Sequence, residues 1–121
     1  MNTFRKNRTV LHKEVLPYGE YPKFWSKEMK QAQATRHYNI LHDCMELLQE
    51  TLSEDTFRNR YEAAVREAQV VVHMCGRKGI GIRAGRMLRY LINEKEQLVE
   101  DFMERCNAAL EEYVLTGEYV A

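Results

Sequence analysis

The sequence predicts an all-α protein, an antiparallel bundle of three main helices preceded by an irregular N-terminal arm. Two observations lead to this prediction. Apolar residues recur at spacings of three and four through most of the chain after residue 26, which is the period of an amphipathic helix. Both prolines, Pro17 and Pro22, lie before that region. With 121 residues the chain can bury one core, so we divide it into an arm, residues 1–25, and a helical bundle domain, residues 26–121.

The arm combines its two prolines with five aromatic side chains, Phe4, Tyr18, Tyr21, Phe24 and Trp25. Proline lacks a backbone donor and disfavours helix in the residue before it. We therefore expect an extended segment whose aromatic residues pin part of it to the bundle. An arm that binds a partner is the alternative.

Each predicted helix has recognisable ends. Ser26 and Ser53 are suitable N-caps for a first helix from Lys27 to about Leu52 and for a second that ends near Cys75. The third is expected to start around residues 82–86 and to run to about Leu115, before a glycine stop at Gly117. Its apolar stripe is broad enough to need two neighbours, so we expect a homo-oligomer.

Charge is distributed in blocks although the net charge is zero. Residues 1–36 carry +5, residues 37–67 carry −4, residues 68–93 carry +5 and residues 94–121 carry −6. Short connections make the helices antiparallel neighbours, so like-charged blocks meet at the same end of the bundle. We call the two ends the basic head and the acidic foot. The head comprises Lys23 and the eight cations to which we assign anion binding, Lys27, Lys30, Arg36, Arg77, Lys78, Arg83, Arg86 and Arg89. The foot comprises Glu46, Glu50, Glu54, Asp55, Glu104, Glu111 and Glu112.

The stretch Gly76–Arg89, GRKGIGIRAGRMLR, is the centre of the basic head. Its arginines crowd a helix N-terminus, where the helix dipole already presents partial positive charge and acidic residues are preferred. A bound anion would relieve this conflict through the arginines, free helix N–H groups and glycines that let the backbone approach closely. The stretch matches neither the P-loop pattern nor a dinucleotide fingerprint. A solvated turn without a ligand is the plain alternative.

These observations favour a non-catalytic accessory protein whose head binds an anionic partner, most simply nucleic acid, as a small subunit of a nucleoprotein complex. The alternative is a protein-binding inhibitor or adaptor that uses its exposed aromatic residues, the polar first half of the first helix and its charged ends. We assign no catalytic residue.

Two stretches carry an arginine followed by a histidine, RHYNILH from Arg36 to His42 and REAQVVVH from Arg66 to His73. This spacing resembles that of HEPN-type ribonucleases, small all-α proteins with a metal-independent RNA-cleaving site built across a dimer. Arg36 with His42 is the better match because a polar residue follows the arginine, although the family's motif lies later in its domain. The resemblance implies an RNA-cleaving enzyme as a second alternative.

No metal site or cofactor is expected. His42 and Glu46 stand four residues apart, yet no second ligand pair accompanies them. The three cysteines form no paired motif and fit a reducing compartment. No apolar run approaches the roughly 18 residues of a membrane span, and the N-terminus is too polar for a signal peptide. We therefore expect a cytoplasmic protein with no membrane partner.

Overall fold

The computed structural model describes residues 26–117, and every regular element in that range is an α-helix. The helices are α1 (Lys27–Glu50), α2 (Glu54–Cys75), α3 (Ile80–Asn93) and α4 (Lys95–Thr116). The all-α prediction is confirmed, but the prediction of three main helices is wrong, because the third predicted helix divides at Glu94. The predicted arm, residues 1–25, lies outside the described residues.

Side-chain caps begin α1 and α2 where the sequence places them. The Ser26 hydroxyl accepts a hydrogen bond from the Met29 amide at 3.1 Å, and the Ser53 hydroxyl accepts one from the Thr56 amide at 3.2 Å. Each satisfies one of the amides that a helix start leaves without a partner. At the other end of the chain, Gly117 adopts a left-handed conformation (φ 77°) after α4, so the predicted glycine stop is confirmed.

The core forms where α2 packs between α1 and α3. Alanines on α2, including Ala64 and Ala68, are fully buried and let the neighbouring helices approach closely. The largest fully buried apolar side chains come from three helices: Leu41 and Leu48 of α1, Val71 of α2 and Leu91 of α3. A three-residue connection, residues 51–53, joins α1 to α2, so these two run antiparallel.

The break between α3 and α4 is stabilised by a tyrosine of α2. Glu94 leaves helical geometry at φ −106° and ψ 21°. In an uninterrupted helix the Leu91 carbonyl would accept from the amide four residues on, that of Lys95. Here the Tyr61 hydroxyl donates to that carbonyl oxygen at 2.6 Å. The hydroxyl therefore provides a partner for the Leu91 carbonyl where the helix is interrupted.

The first half of α4 packs over the acidic foot. Phe102 lies against Phe57 of α2, with ring centroids 4.7 Å apart. The Arg105 guanidinium donates to the carbonyls of Leu48 and Thr51 at 2.9 and 3.2 Å. It thereby satisfies carbonyls at the end of α1, which has no basic residue of its own in its last turn. This contact fixes α4 against the α1–α2 connection.

Candidate nucleic-acid interface

The glycines of the α2–α3 turn are required by its backbone geometry. Gly76 and Gly79 have φ of 59° and 53° with ψ of −131° and −125°, a combination that L side chains rarely adopt. At Gly81 an added Cβ would collide with the Gly76 carbonyl oxygen and would lie 2.9 Å from the Cβ of Cys75. Positive φ at Gly76 and Gly79, and close packing at Gly81, therefore account for these glycines without a ligand.

Two backbone amides at the start of α3 are already used within the turn. The Gly81 amide donates to the Lys78 carbonyl at 2.9 Å, and the Ile82 amide donates to the Gly79 carbonyl at 3.2 Å. We expected free helix N–H groups and glycines to hold an anion. These two amides are not free, so that expectation is wrong for them. The basic side chains at this end are therefore the stronger candidates for holding an anion.

The start of α1 and the α2–α3 turn meet, as the antiparallel arrangement predicts. Lys27 and Lys30 of α1 and Lys78 of the turn line one hollow of about 260 Å³, together with the half-buried Cys75. Three lysines from two distant parts of the chain thus surround a space that can admit an anionic group. Burial raises the pKa of the Cys75 thiol above its ordinary value, so the thiol stays protonated at neutral pH and adds no negative charge.

A second basic surface lies on the outer side of α3. Arg77 and Arg89 line an open hollow of about 610 Å³ whose floor includes Gly81 and Gly85. Arg83 and Arg86 are exposed on the same helix. From Arg83 to Arg89 the helix rises by about 9 Å, a length that spans more than one phosphate of a nucleic-acid strand.

Arg36 differs from the other seven cations to which we assign anion binding. It is half-buried, lies about 14 Å along α1 from Lys27, lines neither hollow and has an interaction of its own. The other seven are exposed, and none of them forms an ion pair with a residue in the range 26–117. The exposed head therefore consists of Lys27, Lys30, Arg77, Lys78, Arg83, Arg86 and Arg89.

Acidic residues are sparse around this head. Within the described parts of the two basic blocks, residues 26–36 and 68–93, the one acidic residue is Glu28 in the first turn of α1. All seven foot carboxylates are exposed, and Asp55 pairs with Arg58 at 2.8 Å. Among residues 26–117, the head therefore presents a largely uncompensated positive surface.

Sequence reasoning missed a buried polar cluster between α1 and α2. The Nδ1 of His37 lies 2.5 Å from the Oε2 of Glu67, and their side chains are 0% and 3% exposed. Gln33 approaches the other ring nitrogen of His37 at 3.4 Å, and Arg66 Nε lies 3.9 Å from Glu67 Oε1. The signal was present in the spacing, because His37 stands three residues after Ala34 and Glu67 three after Ala64, both core positions. Polar residues on an apolar stripe indicate a buried pair.

The arginine–histidine pairs of the ribonuclease resemblance take different positions. Arg36 and His42 are six residues apart on α1, so their side chains leave the helix in directions about 120° apart. Arg36 is half-buried, whereas His42 is exposed and meets the Tyr38 ring edge-on, with centroids 4.7 Å apart. Arg66 and His73, seven residues apart, share one face of α2. Arg36 and His42, the pair with the better sequence match, therefore do not share a helix face.

No protein family, curated protein or solved structure matches this chain. Among residues 26–117, no three histidine, cysteine, aspartate or glutamate side chains come close enough to hold a metal ion. No helix in the same range is long and apolar enough to cross a membrane.

Proposed function

We propose that this protein is a non-catalytic helical accessory protein whose basic head binds the phosphates of a nucleic acid, as a small subunit of a nucleoprotein complex. One observation supports the proposal above the others. Five exposed cations, from the start of α1, the α2–α3 turn and α3, line two hollows beside that turn, and Arg83 and Arg86 are exposed on the same helix. Gathering them there brings like charges together, a cost that a polyanion would offset.

The turn geometry narrows the form of recognition. Because the glycines and two amides of the turn serve its own backbone, the proposed contacts come from lysine and arginine side chains. Side-chain contacts to phosphate fix the position of a nucleic acid without reading its bases. We therefore expect binding with little sequence preference and a strong dependence on salt.

Fluorescence anisotropy with labelled single- and double-stranded DNA and RNA tests this proposal at low salt. The variant Arg83→Ala with Arg86→Ala removes two head cations, and we expect it to weaken binding roughly tenfold. The matched control is Arg58→Ala with Lys95→Ala, which removes two cations outside the head and should leave the affinity within about twofold. Equal losses from both pairs would show that general charge, and not the head, governs binding.

A protein-binding adaptor is the second candidate, favoured by a groove between α2 and α4. This groove, about 530 Å³ in volume, has apolar walls formed by Phe57, Tyr61, Val99, Phe102 and Met103. Grooves of this kind accept an amphipathic helix or an apolar side-chain cluster of a partner. Recovery of one protein partner after nuclease treatment, lost on Met103→Glu, would favour this candidate over the nucleic-acid one.

A further inference from the structure

An exposed tyrosine stands on the basic surface of α3. Tyr90 is 39% exposed, and its side chain forms no hydrogen bond and no contact with another aromatic ring among residues 26–117. The ring also lies outside the apolar core. By contrast, Tyr61 of the neighbouring helix donates its hydroxyl to the Leu91 carbonyl. The polar and aromatic contacts of the described chain therefore leave the Tyr90 ring available.

Tyr90 shares a face of α3 with two arginines of the head. Arg83, Arg86 and Tyr90 follow one another at three and four residues, so their side chains leave the helix within about 60° of one another. Tyr90 lies one turn beyond Arg86, a rise of about 6 Å. Every charged residue of α3 is an arginine, and the next acid along the chain, Glu94, lies at the break after the helix. This face therefore combines positive charge with an available aromatic ring.

Arginines beside an exposed aromatic ring suit single-stranded nucleic acid. A single strand carries phosphates for the arginines and bases whose faces are free to stack on an aromatic side chain. In a duplex the bases are stacked on one another and present only their edges in the grooves. Stacking accepts every base, which agrees with the small sequence preference expected from side-chain contacts to phosphate.

We propose that the Tyr90 ring stacks on a base of single-stranded nucleic acid whose phosphates lie on Arg83 and Arg86. This inference rests on the proposed function, because it requires nucleic acid at the head. Stacking adds a contact with a base to the contacts with phosphate, and it adds nothing on a duplex. Tyr90 therefore distinguishes single strands from duplexes, whereas the two arginines serve both.

Anisotropy titrations with two labelled single strands separate the base from the phosphate. One strand of about 12 nucleotides carries thymine at every position, and the other has the same phosphates and no bases. Tyr90→Ala should weaken binding to the thymine strand at least about fivefold and should leave binding to the abasic strand within about twofold of the wild type. On a duplex the same variant should change the affinity by less than about twofold. Tyr90→Phe keeps the ring and should retain the wild-type affinity for all three ligands.

The matched control is Tyr113→Ala. It removes a tyrosine that is similarly exposed, at 43%, but that adjoins Glu112 on α4, and it should leave the affinity for either single strand unchanged. Circular dichroism checks that each variant keeps its helicity. If Tyr90→Ala loses helicity, Tyr90→Leu replaces it.

The outcomes distinguish this inference from the proposed function. Loss of affinity for the thymine strand alone supports stacking by Tyr90. No loss from Tyr90→Ala, or equal losses on both single strands, would overturn the stacking contact, as would a loss from Tyr90→Phe equal to that from Tyr90→Ala. The proposed function would survive those results if Arg83→Ala with Arg86→Ala still weakened binding. A wild-type protein that binds neither strand at low salt would overturn both.

Discussion

His37 of α1 and Glu67 of α2 meet in the interior with Nδ1 and Oε2 2.5 Å apart, and both side chains are almost wholly buried. Polar groups at this depth are costly unless each finds a partner. The contact links α1 and α2 partway along their length, where Ile40 and Ala63 are buried nearby in sequence. It therefore specifies how the two helices align as well as joining them.

The stability losses from replacing His37 alone and Glu67 alone should sum to more than the loss from replacing both. We expect His37→Leu and Glu67→Leu each to lower the free energy of unfolding by about 3 kcal/mol, because each leaves a buried polar group alone. The double variant should recover at least about half of the summed loss, since neither leucine leaves the other member of the pair without its partner. Urea denaturation of the four proteins measures this coupling. Simple additivity would show that the pair contributes no specific interaction.

Two glycines of α3 should respond oppositely to the same substitution. Gly81→Ala drives a Cβ into the Gly76 carbonyl oxygen, and we expect a loss of about 3 kcal/mol in stability. At Gly85 the added Cβ meets only Val72, at 3.9 Å, so Gly85→Ala should stabilise the protein by up to about 1 kcal/mol through helix propensity. Thermal unfolding of both variants measures the two effects. A mild Gly81→Ala would contradict the close packing of the turn.

The hydroxyl of Tyr61 should contribute to stability through the α3–α4 break. Tyr61→Phe removes the donor to the Leu91 carbonyl and should cost about 1 to 2 kcal/mol. Tyr90→Phe is a suitable control, because Tyr90 is a tyrosine of the same region with an exposed side chain, 39% accessible. We expect that control to change stability by less than about 0.5 kcal/mol in chemical denaturation. Equal effects of the two substitutions would remove the role assigned to Tyr61.

Alkaline pH should remove the contribution of Tyr61. Burial raises the pKa of Tyr61 above its ordinary value of 10.0, so the folded protein holds the phenolic proton more tightly than the unfolded chain. This contribution is complete below pH 10.0 and is lost as pH rises through the raised pKa. The stability difference between the wild type and Tyr61→Phe should therefore shrink in strongly alkaline buffer. The Lys95 ammonium lies 5.2 Å from the centroid of the Tyr61 ring, so its charge also acts on that ring. Both proteins in the comparison therefore carry Lys95→Gln. A difference that is constant with pH would contradict the assignment.

Local sequence signals were enough to predict an all-α chain and the starts of α1 and α2. Serine caps and apolar spacing fixed the starts of α1 and α2, and the antiparallel order brought Lys30 and Lys78 to one hollow. The break at Glu94 was not predictable in this way. It depends on a hydroxyl 30 residues away, on Tyr61, and the apolar stripe continues across it.

The charge pattern of the sequence predicted the cations of the candidate site, and the packing of the helices corrected the roles of Arg36 and of the turn glycines. Charge blocks identified eight anion-binding cations, of which seven are exposed, but they could not show that Arg36 is half-buried with an interaction of its own. Nor could they show that the glycines serve the turn, because a glycine needed for backbone geometry and one needed for a ligand look alike in a sequence. Arg105, whose long-range contacts hold α4 to the end of α1, left no local signal.

The proposal that the exposed head binds nucleic-acid phosphates is tested by the salt dependence of binding. The logarithm of the association constant is measured against the logarithm of salt concentration on a short DNA duplex, for the wild type and for Arg83→Ala with Arg86→Ala. With at least four of the seven head cations on phosphates, the wild-type slope should be about −3.6 or steeper, and removal of two contacts should flatten it by nearly 2. No binding at low salt, or the same slope for both proteins, would contradict the claim.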